Sequence, residues 1–408
     1  MSVPAPTLLR RAMFGVFLAF AVNGIAVGAW ISRIPAIRDI LGLDTAQVGI
    51  LLFGMSAGSI LGLLGAAAIV HRLGARRTIL AALALGTAAL LVLALGVSLV
   101  PVFAVAITGM ALFGIAWSVC DVAMNVEGAA VEREMGRTLM PWFHAAWSLG
   151  SVAGAGTGAA AAFLEIAPGA HIVVVAALVV VTAVLLPRLL PRVLDVDVPE
   201  PEEGERTGFR AQLAAWSDRR VLLLGVLVLG MAFAEGSAND WLALAMKDDR
   251  GFDDGQAALL FGVFTAAMTI GRIAGVPLLD RFGRVPVLRV AVAMAAIGLG
   301  VVILIPATPF MIAGIVVWGL GASLGFPVGM SAAGDNPVGA AARVSAVATI
   351  AYCAFLVGPP VLGLVGHSIG ILNSLWIVFA LIVAAAVGIP AARERRPAVT
   401  PSDAISGA

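Results

Sequence analysis

The sequence is poor in the charged residues that soluble proteins present to water. Charged residues make up 12% of its 408 positions, about half the share of a typical soluble domain. Hydrophobic residues make up 61%, and the mean hydropathy is +1.05. A globule of this size still exposes about a quarter of its chain surface, so it could not hide this much apolar surface from water. The composition therefore excludes a soluble enzyme and a disordered protein, and it predicts that lipid solvates most of the chain.

Other scarcities exclude further classes of protein. The two cysteines, Cys120 and Cys353, lie far apart inside apolar runs, which argues against a disulfide-stabilised secreted protein. The four histidines show no metal-binding spacing, and a net charge of +1 gives no field for nucleic acid. No phosphate-binding loop of the GxxxxGK[ST] type and no nucleophile–base pair occur, so neither direct ATP use nor enzyme catalysis is predicted. We expect no cofactor, and a proton gradient is the expected energy source.

Long apolar runs make up most of the sequence. A transmembrane helix needs about 20 apolar residues, and twelve runs meet this length: 13–31, 46–69, 78–98, 101–126, 142–163, 171–190, 221–246, 256–278, 286–305, 309–333, 344–366 and 369–390. A signal peptide is a poor alternative for the first run, because more apolar runs follow at once and no polar mature domain appears. The runs predict an all-α membrane protein with twelve transmembrane helices.

Lysine and arginine are distributed unequally between the two sides that twelve spans define. Twenty of them fall on the side of both termini, four fall on the opposite side, and Arg272 lies within a span. Loops on the cytoplasmic side of a membrane carry an excess of these residues. We therefore predict that both termini are cytoplasmic.

The two halves of the chain repeat each other. At an offset of 209 positions six pairs of identical residues occur in order, all around the second span of each half: Gly42/Gly251, Asp44/Asp253, Gln47/Gln256, Gly62/Gly271, Arg72/Arg281 and Gly74/Gly283. A polar linker separates the halves and can carry a short interfacial helix at 208–216. We predict six-helix bundles at 1–190 and 220–391, a cytoplasmic linker at 191–219 and a cytoplasmic tail at 392–408. Such a parallel repeat is typical of transporters, with the substrate site between the repeats near the bilayer midplane.

The loops after the second and eighth spans carry a recognisable motif. The later copy reads Asp280-Arg281-Phe282-Gly283-Arg284, and the earlier copy reads His71-Arg72-Leu73-Gly74-Ala75-Arg76-Arg77. They resemble the G-x-x-x-D-R-x-G-R-R loop of the major facilitator superfamily, with His71 where that family has Asp. The resemblance covers nearly the whole chain. It implies the fold of two pseudo-symmetric six-helix bundles, transport by alternating access and a cytoplasmic gating motif that includes Arg72, Gly74, Arg76, Asp280, Arg281, Gly283 and Arg284.

Two segments, 121–150 and 232–246, carry a narrower resemblance. They resemble a bacterial subgroup of uncharacterised inner-membrane transporters near the fucose-type sugar permeases. This resemblance implies a multi-pass protein of the bacterial cytoplasmic membrane whose partners are the lipid bilayer and a small solute. We expect that the protein is a monomer and that it has no nucleic-acid partner.

Charged residues within a bilayer are costly, so each one inside an apolar run is a candidate functional group. Glu235 lies about 21 Å along the seventh span, slightly beyond the midplane. Asn239 shares its face, and Asp240 and Trp241 follow nearer the mouth opposite the termini. We predict that Glu235 serves the proton or the substrate, and the alternative is a structural carboxyl bound to neighbouring helices. Asp240 could equally line only the mouth of the cavity.

A second polar group is predicted nearer the cytoplasm. Asp121 and Asn125 share a face of the fourth span, and His144 lies at a similar depth early in the fifth. They could form a proton relay or hold an inner gate. The alternative is a helix-end cluster that involves Arg133 or Arg137.

Asn23 in the first span roughly matches Glu235 in depth, and Trp30 corresponds loosely to Trp241. Amides and tryptophans facing a central cavity would suit a neutral polar solute such as a sugar, although tryptophan is also an ordinary interface anchor. One or two further aromatic residues are expected to line the cavity, from a set of four: Trp117, Trp147, Trp318 and Tyr352.

Arg272 lies about 24 Å along the eighth span, toward the cytoplasmic side. We predict that it has a structural or gating role, grouped with the cytoplasmic gating motif, and that its partner is Asp335 at the end of the tenth span. Phe326-Pro327 is predicted to bend the tenth span, and Gly358-Pro359-Pro360 is predicted to break the eleventh.

These features favour a secondary active transporter that moves a small polar solute with protons. A drug or metabolite exporter is the alternative. Family drug antiporters usually carry an Arg in the fourth span and a Gly-Pro pair in the fifth, and both are missing here. A non-transporting membrane sensor is a remote alternative, because sensors built on such a scaffold usually add a large soluble domain.

Overall fold

The structure is a computed structural model that describes residues 6–190, 216–335 and 340–394. The predicted linker 191–219, the interfacial helix 208–216 and the tail 392–408 lie almost entirely outside the described residues. The domain limits therefore stay predictions.

The described chain is helical throughout its two halves. The first half contains α1 (Pro6–Ile31), α2 (Ile34–Leu41), α3 (Thr45–Leu73), α4 (Ala75–Ser98), α5 (Phe103–Met135), α6 (Met140–Phe163) and α7 (Pro168–Leu189). The second half contains α8 (Arg219–Ser237), a π-helical turn (Ala238–Leu242), α9 (Ala243–Arg250), α10 (Asp254–Phe282), α11 (Arg284–Leu304), α12 (Thr308–Ala322), α13 (Gly325–Ala333), α14 (Ala340–Ile369), α15 (Ile371–Ala385) and a 3₁₀ helix (Ala386–Ala392).

These elements confirm the predicted class, an all-α protein with twelve membrane-spanning helices in two bundles. Among the described residues, eleven helical stretches are long and apolar enough to cross a membrane. The one predicted span outside these eleven stretches, 142–163, is the 24-residue helix α6, which is rich in alanine, glycine and serine. In membranes such small residues allow close approach of helices.

The sequence repeat is reproduced in backbone geometry. Gly42 ends α2 and Gly251 ends α9, both in the left-handed conformation that glycine adopts without steric cost. Two residues later, Asp44 and Asp253 cap α3 and α10. Each accepts a hydrogen bond from the backbone of a glutamine three residues on, whose side chain accepts one from the backbone of the aspartate. The shared residues are therefore the signals that start the second span of each half.

Helix packing follows the same repeat. In the first bundle (α1–α7), α1 packs on α6 and α3 packs on α5; in the second bundle (α8–α15), α8 packs on α14 and α10 packs on α12. The bundles contact each other through α3 with α14 and α6 with α10. We call the face where the described chain begins and ends the terminal side, and the opposite face the α2 side.

Three local features bear on the sequence predictions, one in agreement and two in disagreement. The tenth span is interrupted between Ala322 and Gly325, which agrees with a bend ahead of Pro327. The predicted break in the eleventh span is wrong, because α14 continues through Pro359 and Pro360 as a single helix. A proline removes one helical hydrogen bond, and neighbouring helices in a membrane can accommodate that loss. The π-helical turn in the seventh span was not predicted.

Candidate functional site

The two bundles approach each other most closely on the α2 side. A Cβ atom added to Gly49 of α3 would lie 2.7 Å from the carbonyl oxygen of Pro359 on α14. On the other flank, a Cβ added to Gly255 of α10 would lie 2.5 Å from the ring of Phe163 at the end of α6. Side chains of both bundles also form ion pairs on this side, Arg38 with Asp248 among them. The space between the bundles is therefore closed on the α2 side.

Nearer the terminal side the same space is open. His144 on α6 is exposed although it is close enough to Arg272 of the second bundle for their charges to interact. Tyr352 on α14 is 39% exposed and lies within similar reach of Asp121 in the first bundle. Each side chain thus lies between the bundles without being covered by the opposite one. The cavity between the bundles therefore opens toward the terminal side.

A pocket of about 350 Å³, its open side included, lies between the two bundles and is lined by both. Trp147 of α6 contributes an aromatic wall. The polar lining residues come from α6, the seventh span and α10: Ser148, Ser151, Glu235, Asn239, Thr265 and Thr269. The hydroxyl groups of Ser151, Thr265 and Thr269 donate to carbonyl oxygens within their own helices, and their oxygens can still accept from a ligand. The pocket thus combines apolar walls with four hydroxyl groups, one amide and one carboxylate.

That carboxylate forms an ion pair. Arg272 Nη2 on α10 lies 2.9 Å from Glu235 Oε1 on α8, and the side chains are 29% and 14% exposed. The predicted pairing of Arg272 with Asp335 is wrong, because Asp335 accepts from Arg220 and Arg284 at the terminal end of the second bundle. A side chain as long as arginine reaches along its helix, so its charged group meets Glu235 well inside the membrane. Arg272 is therefore the ion-pair partner of the carboxylate that lines the central pocket.

The residues after Glu235 have different surroundings. Asn239 lines the pocket, as the shared helix face predicted. Asp240 is the next residue and lies in the π-helical turn, and among the described residues its carboxylate has no hydrogen bond or ion pair. π-helical turns are frequent at functional sites, and an intramembrane carboxylate without a partner is a functional candidate. Asp240 thus stays a candidate functional residue, although it follows Asn239 in sequence and does not itself line the pocket.

The predicted cluster near the terminal side is only partly assembled. Asn125 donates to both the backbone oxygen and the carboxylate of Asp121, at 2.8 and 3.3 Å. His144 lies edge-on to Phe20, with ring centroids 5.2 Å apart. The charge neighbours of His144 and Asp121 are Arg272 and Tyr352. Among the described residues no hydrogen bond or ion pair joins His144 to Asp121, so the predicted relay stays a prediction.

Three predicted pathway residues lie inside the bundles in this conformation rather than on the central cavity, and their role in the pathway stays a prediction. Asn23 is buried, donates to the carbonyl oxygen of Ala19 at 2.9 Å and borders a separate cavity within the first bundle. Trp30 and Trp241 are 2% and 0% exposed. Depth along a span cannot reveal this, because the rotation of the helix decides which neighbour a side chain meets. Trp241 instead packs against Gly363 on the α2 side.

The signature loops lie at the terminal side of each bundle. Gly74 separates α3 from α4 and Gly283 separates α10 from α11 with nearly the same backbone angles. Arg76 donates to the carbonyl oxygen of Pro187 at 3.2 Å, and Arg284 pairs with Asp335 at 2.7 Å. The remaining charged members of the predicted motif are exposed: Arg72, Asp280 and Arg281. Arg281 lies over the ring of Phe282. Their gating role remains a prediction.

Sequence reasoning missed the hydroxyl groups of the pocket. Ser148 and Ser151 are three residues apart in α6, and Thr265 and Thr269 are four apart in α10. Both spacings put two side chains on one helix face. This periodic polar face within an apolar run was the signal that could have identified them.

Comparison with known proteins connects this architecture to relatives. A transporter of Yersinia pestis, described as uncharacterised and MFS-type, is 31% identical over 363 residues, which are 89% of this chain and 90% of the relative. An uncharacterised transporter of Sinorhizobium fredii is also 31% identical over 363 residues, covering 87% of this chain and 91% of its own. These relatives are transporters rather than enzymes.

Solved structures share the fold at low sequence identity. The nucleoside transporter NupG superposes with a TM-score of 0.79 at 13% identity, over 93% of this chain and 99% of that chain. The E. coli fucose:proton symporter FucP superposes with a TM-score of 0.61 at 14% identity, over 94% of this chain and 98% of that chain.

The family model described as Major Facilitator Superfamily matches residues 12–353 and, in a second match, residues 236–406. These matches take in both bundles, both signature loops and the pocket between them. The chain therefore belongs to the major facilitator superfamily of membrane transporters.

Proposed function

We propose that this protein is a proton-coupled secondary transporter that carries a small polar, sugar-like solute by alternating access. The observation that carries the proposal is the Glu235–Arg272 ion pair, 2.9 Å long, whose carboxylate lines the pocket between the two bundles. A site at the interface of the repeats faces one side or the other as the bundles rock. The pair is therefore where proton and solute can be coupled to that motion.

The chemistry of coupling follows from charge balance. A proton that binds Glu235 removes its negative charge and leaves Arg272 without a counter-ion in a poorly solvated site. An unpaired charge in such a site is unfavourable. A polar solute in the pocket can supply the missing hydrogen-bond acceptor, so protonation and solute binding favour each other. Either event alone is less favourable, which is what tight coupling requires.

The pocket chemistry supports a neutral solute with several hydroxyl groups. Asn239 can both donate and accept, and the four hydroxyl side chains Ser148, Ser151, Thr265 and Thr269 offer acceptor oxygens. Trp147 offers a flat apolar wall for the less polar face of a ring. FucP carries fucose with protons and NupG carries nucleosides, and both solutes contain such a ring, which supports this choice.

We also propose that the terminal side is cytoplasmic and that the protein lies in the bacterial inner membrane. The excess of arginine on that side supports this orientation. The cavity then opens to the cytoplasm in this conformation. We propose that the transport unit is a monomer, since both bundles that line the pocket belong to one chain.

The test begins by finding a solute. A thermal-shift screen of sugars, nucleosides and drugs would detect a ligand, because a concentration of 100 times Kd adds about 2.7 kcal/mol to stability. That solute is then followed in proteoliposomes by counterflow and by uptake driven by a pH gradient. Glu235→Gln keeps the shape of the side chain but cannot release a proton.

We expect Glu235→Gln to retain counterflow and to lose pH-driven accumulation. Glu134→Gln is the matched control, because Glu134 is exposed at the end of α5. Accumulation by the Glu235→Gln variant at the wild-type level would exclude Glu235 as the coupling group. Ligand binding without any flux in the wild type would instead favour a sensor, and pH-driven efflux would favour the exporter.

A further inference from the structure

Five charged side chains form a connected network on the α2 side. Arg38 and Asp39 of α2 belong to the first bundle, whereas Lys247, Asp248 and Asp254 belong to the second. Within each bundle the contacts are Arg38 to Asp39 and Lys247 to Asp254, both 2.6 Å. Between the bundles, Arg38 pairs with Asp248 and Lys247 pairs with Asp39. The network therefore joins the two bodies that must separate when this side opens.

On the first bundle, α2 is attached firmly. Ile34 and Ile37 bury one face of this short helix, and Gly42 ends it in a left-handed turn. Arg33, just before α2, donates to the carbonyl oxygens of Gly158 and Ile166 at 3.2 and 2.6 Å. These contacts tie α2 to α6 and to the loop that follows α6. The helix therefore moves with the first bundle.

On the second bundle, α9 is attached just as firmly. Asp249 accepts a hydrogen bond from the backbone of Leu372 at 2.8 Å, at the start of α15. Arg250 donates to the carbonyl oxygens of Val302 and Ile303, at 2.9 and 2.8 Å. Lys247 and Asp248 are thus carried by an element that moves with the second bundle.

We propose that the pairs Arg38–Asp248 and Asp39–Lys247 form an ionic latch that favours the conformation closed on the α2 side. Opening of that side separates α2 from α9 and breaks both pairs, whereas the contacts within each bundle remain. The latch sets the resting conformational equilibrium before solute or proton binds, so it goes beyond the proposed function. It does not depend on which solute is carried or on whether Glu235 couples protons.

The size of the effect follows from partly exposed ion pairs. Each such pair contributes about 0.2–1 kcal/mol, so loss of two shifts a two-state equilibrium roughly two- to thirtyfold. Mobile ions screen exposed charges, with a Debye length of about 3 Å at 1 M salt compared with about 10 Å at 0.1 M. High salt should therefore weaken the latch in the unsubstituted protein.

The chain offers a closely matched control. The latch variant is Asp39→Asn/Asp248→Asn, which neutralises the two carboxylates that pair across the bundles. The control is Asp249→Asn/Asp253→Asn, which removes the same charge from the same side but alters contacts within the second bundle only. An asparagine can still cap a helix, as Asp253 does.

Distances between spin labels report the equilibrium. Leu99→Cys follows α4 of the first bundle and Phe310→Cys begins α12 of the second; both positions are exposed and lie on the α2 side. Cys120→Ser and Cys353→Ser remove the native thiols. Double electron–electron resonance is recorded in nanodiscs of zwitterionic lipid without solute, and size-exclusion profiles confirm that each variant is folded.

We expect the ratio of long to short label distances to rise two- to thirtyfold in the latch variant and less than twofold in the control. Raising the salt from about 0.1 M to about 1 M should raise the ratio in the protein with an intact latch and leave the latch variant unchanged. Equal ratios in the two variants, or a salt-independent ratio with the latch intact, would overturn the proposal. The salt series decides the matter even if a variant fails to fold.

Discussion

Arg272 Nη2 on α10 lies 2.9 Å from Glu235 Oε1 on α8, so the carboxylate that lines the central pocket is neutralised by an arginine of a neighbouring helix. This pairing makes each residue depend on the other. Removal of one partner leaves the other charge uncompensated in a mostly buried site. The pair is thus a structural element of the second bundle as well as the proposed coupling site.

Glu235→Ala and Arg272→Ala should therefore be non-additive. We expect each single variant to lower the free energy of unfolding by about 1–3 kcal/mol, below the range for fully buried pairs because Arg272 is partly exposed. The double variant should cost less than the sum of the two, since no unpaired charge remains. Thermal and denaturant unfolding in detergent measure this, and additive losses would show that the pair is energetically unimportant.

Substitutions of Asn239 and Asn23 compare two ways of identifying solute-binding residues. One is position in the pocket, and the other is depth along a span. Asn239 lines the pocket, whereas Asn23 is hydrogen-bonded inside the first bundle. We expect Asn239→Ala to raise the solute KM about three- to tenfold, the usual contribution of one hydrogen bond. Asn23→Ala should leave KM unchanged and lower the melting temperature. The opposite pattern in counterflow assays would restore Asn23 to the pathway.

Gly154 allows α1 and α6 to touch. A Cβ added there would meet the carbonyl oxygen of Ile25 and lie 2.8 Å from the backbone nitrogen of Ala29. We expect Gly154→Ala to destabilise the protein by about 1–3 kcal/mol, as overpacking does. Gly156→Ala is the control, because no other atoms lie within 4 Å of the added carbon. Similar melting temperatures for the two variants would mean that the helix pair separates at little cost.

Acidification should open the latch only at low pH. Partial burial alone would raise the pKa of Asp39, but hydrogen bonds and charges from Lys247 and Arg38 outweigh it and hold that pKa below its usual value of 3.8. For Arg38, burial alone would lower the pKa, yet Asp248 and Asp39 raise it overall. A carboxyl with a lowered pKa stabilises the latched state above its usual pKa, and that contribution is lost as the pH falls through the lowered value.

The label-distance ratio should therefore stay constant from about pH 8 to about pH 5 and change only below about pH 4. A transition between about pH 5 and about pH 7 would contradict the assignment of the latch to carboxylates.

The spans were predictable because they depend on a one-dimensional property. A run of about 20 apolar residues must cross the bilayer whatever its neighbours are, and α3, α8 and α10 begin within two residues of the predicted positions. The cap residues Asp44 and Asp253 act through their own backbone neighbours. Local signals of this kind need no tertiary information.

The candidate site was predictable only in part. Glu235 and Asn239 were found because charge and amide groups stand out in an apolar run and share a helix face. The partner of Arg272 was mistaken because a span position does not reveal how far a long side chain reaches or which helix it meets. The latch was not foreseen, since Arg38 and Lys247 lie 209 positions apart, each in a short stretch between two predicted spans.

By itself, the sequence determined that lipid surrounds most of the chain, how many spans there are and that the two halves repeat. It also determined that costly charges lie inside the membrane. Each of these properties depends on composition or on local spacing. The tertiary structure decided which of those charges meet, which tryptophans are buried and which side of the cavity is closed. Those outcomes depend on helix rotation and on the packing of two bundles against each other, and one span contains no information about the face that its neighbour presents.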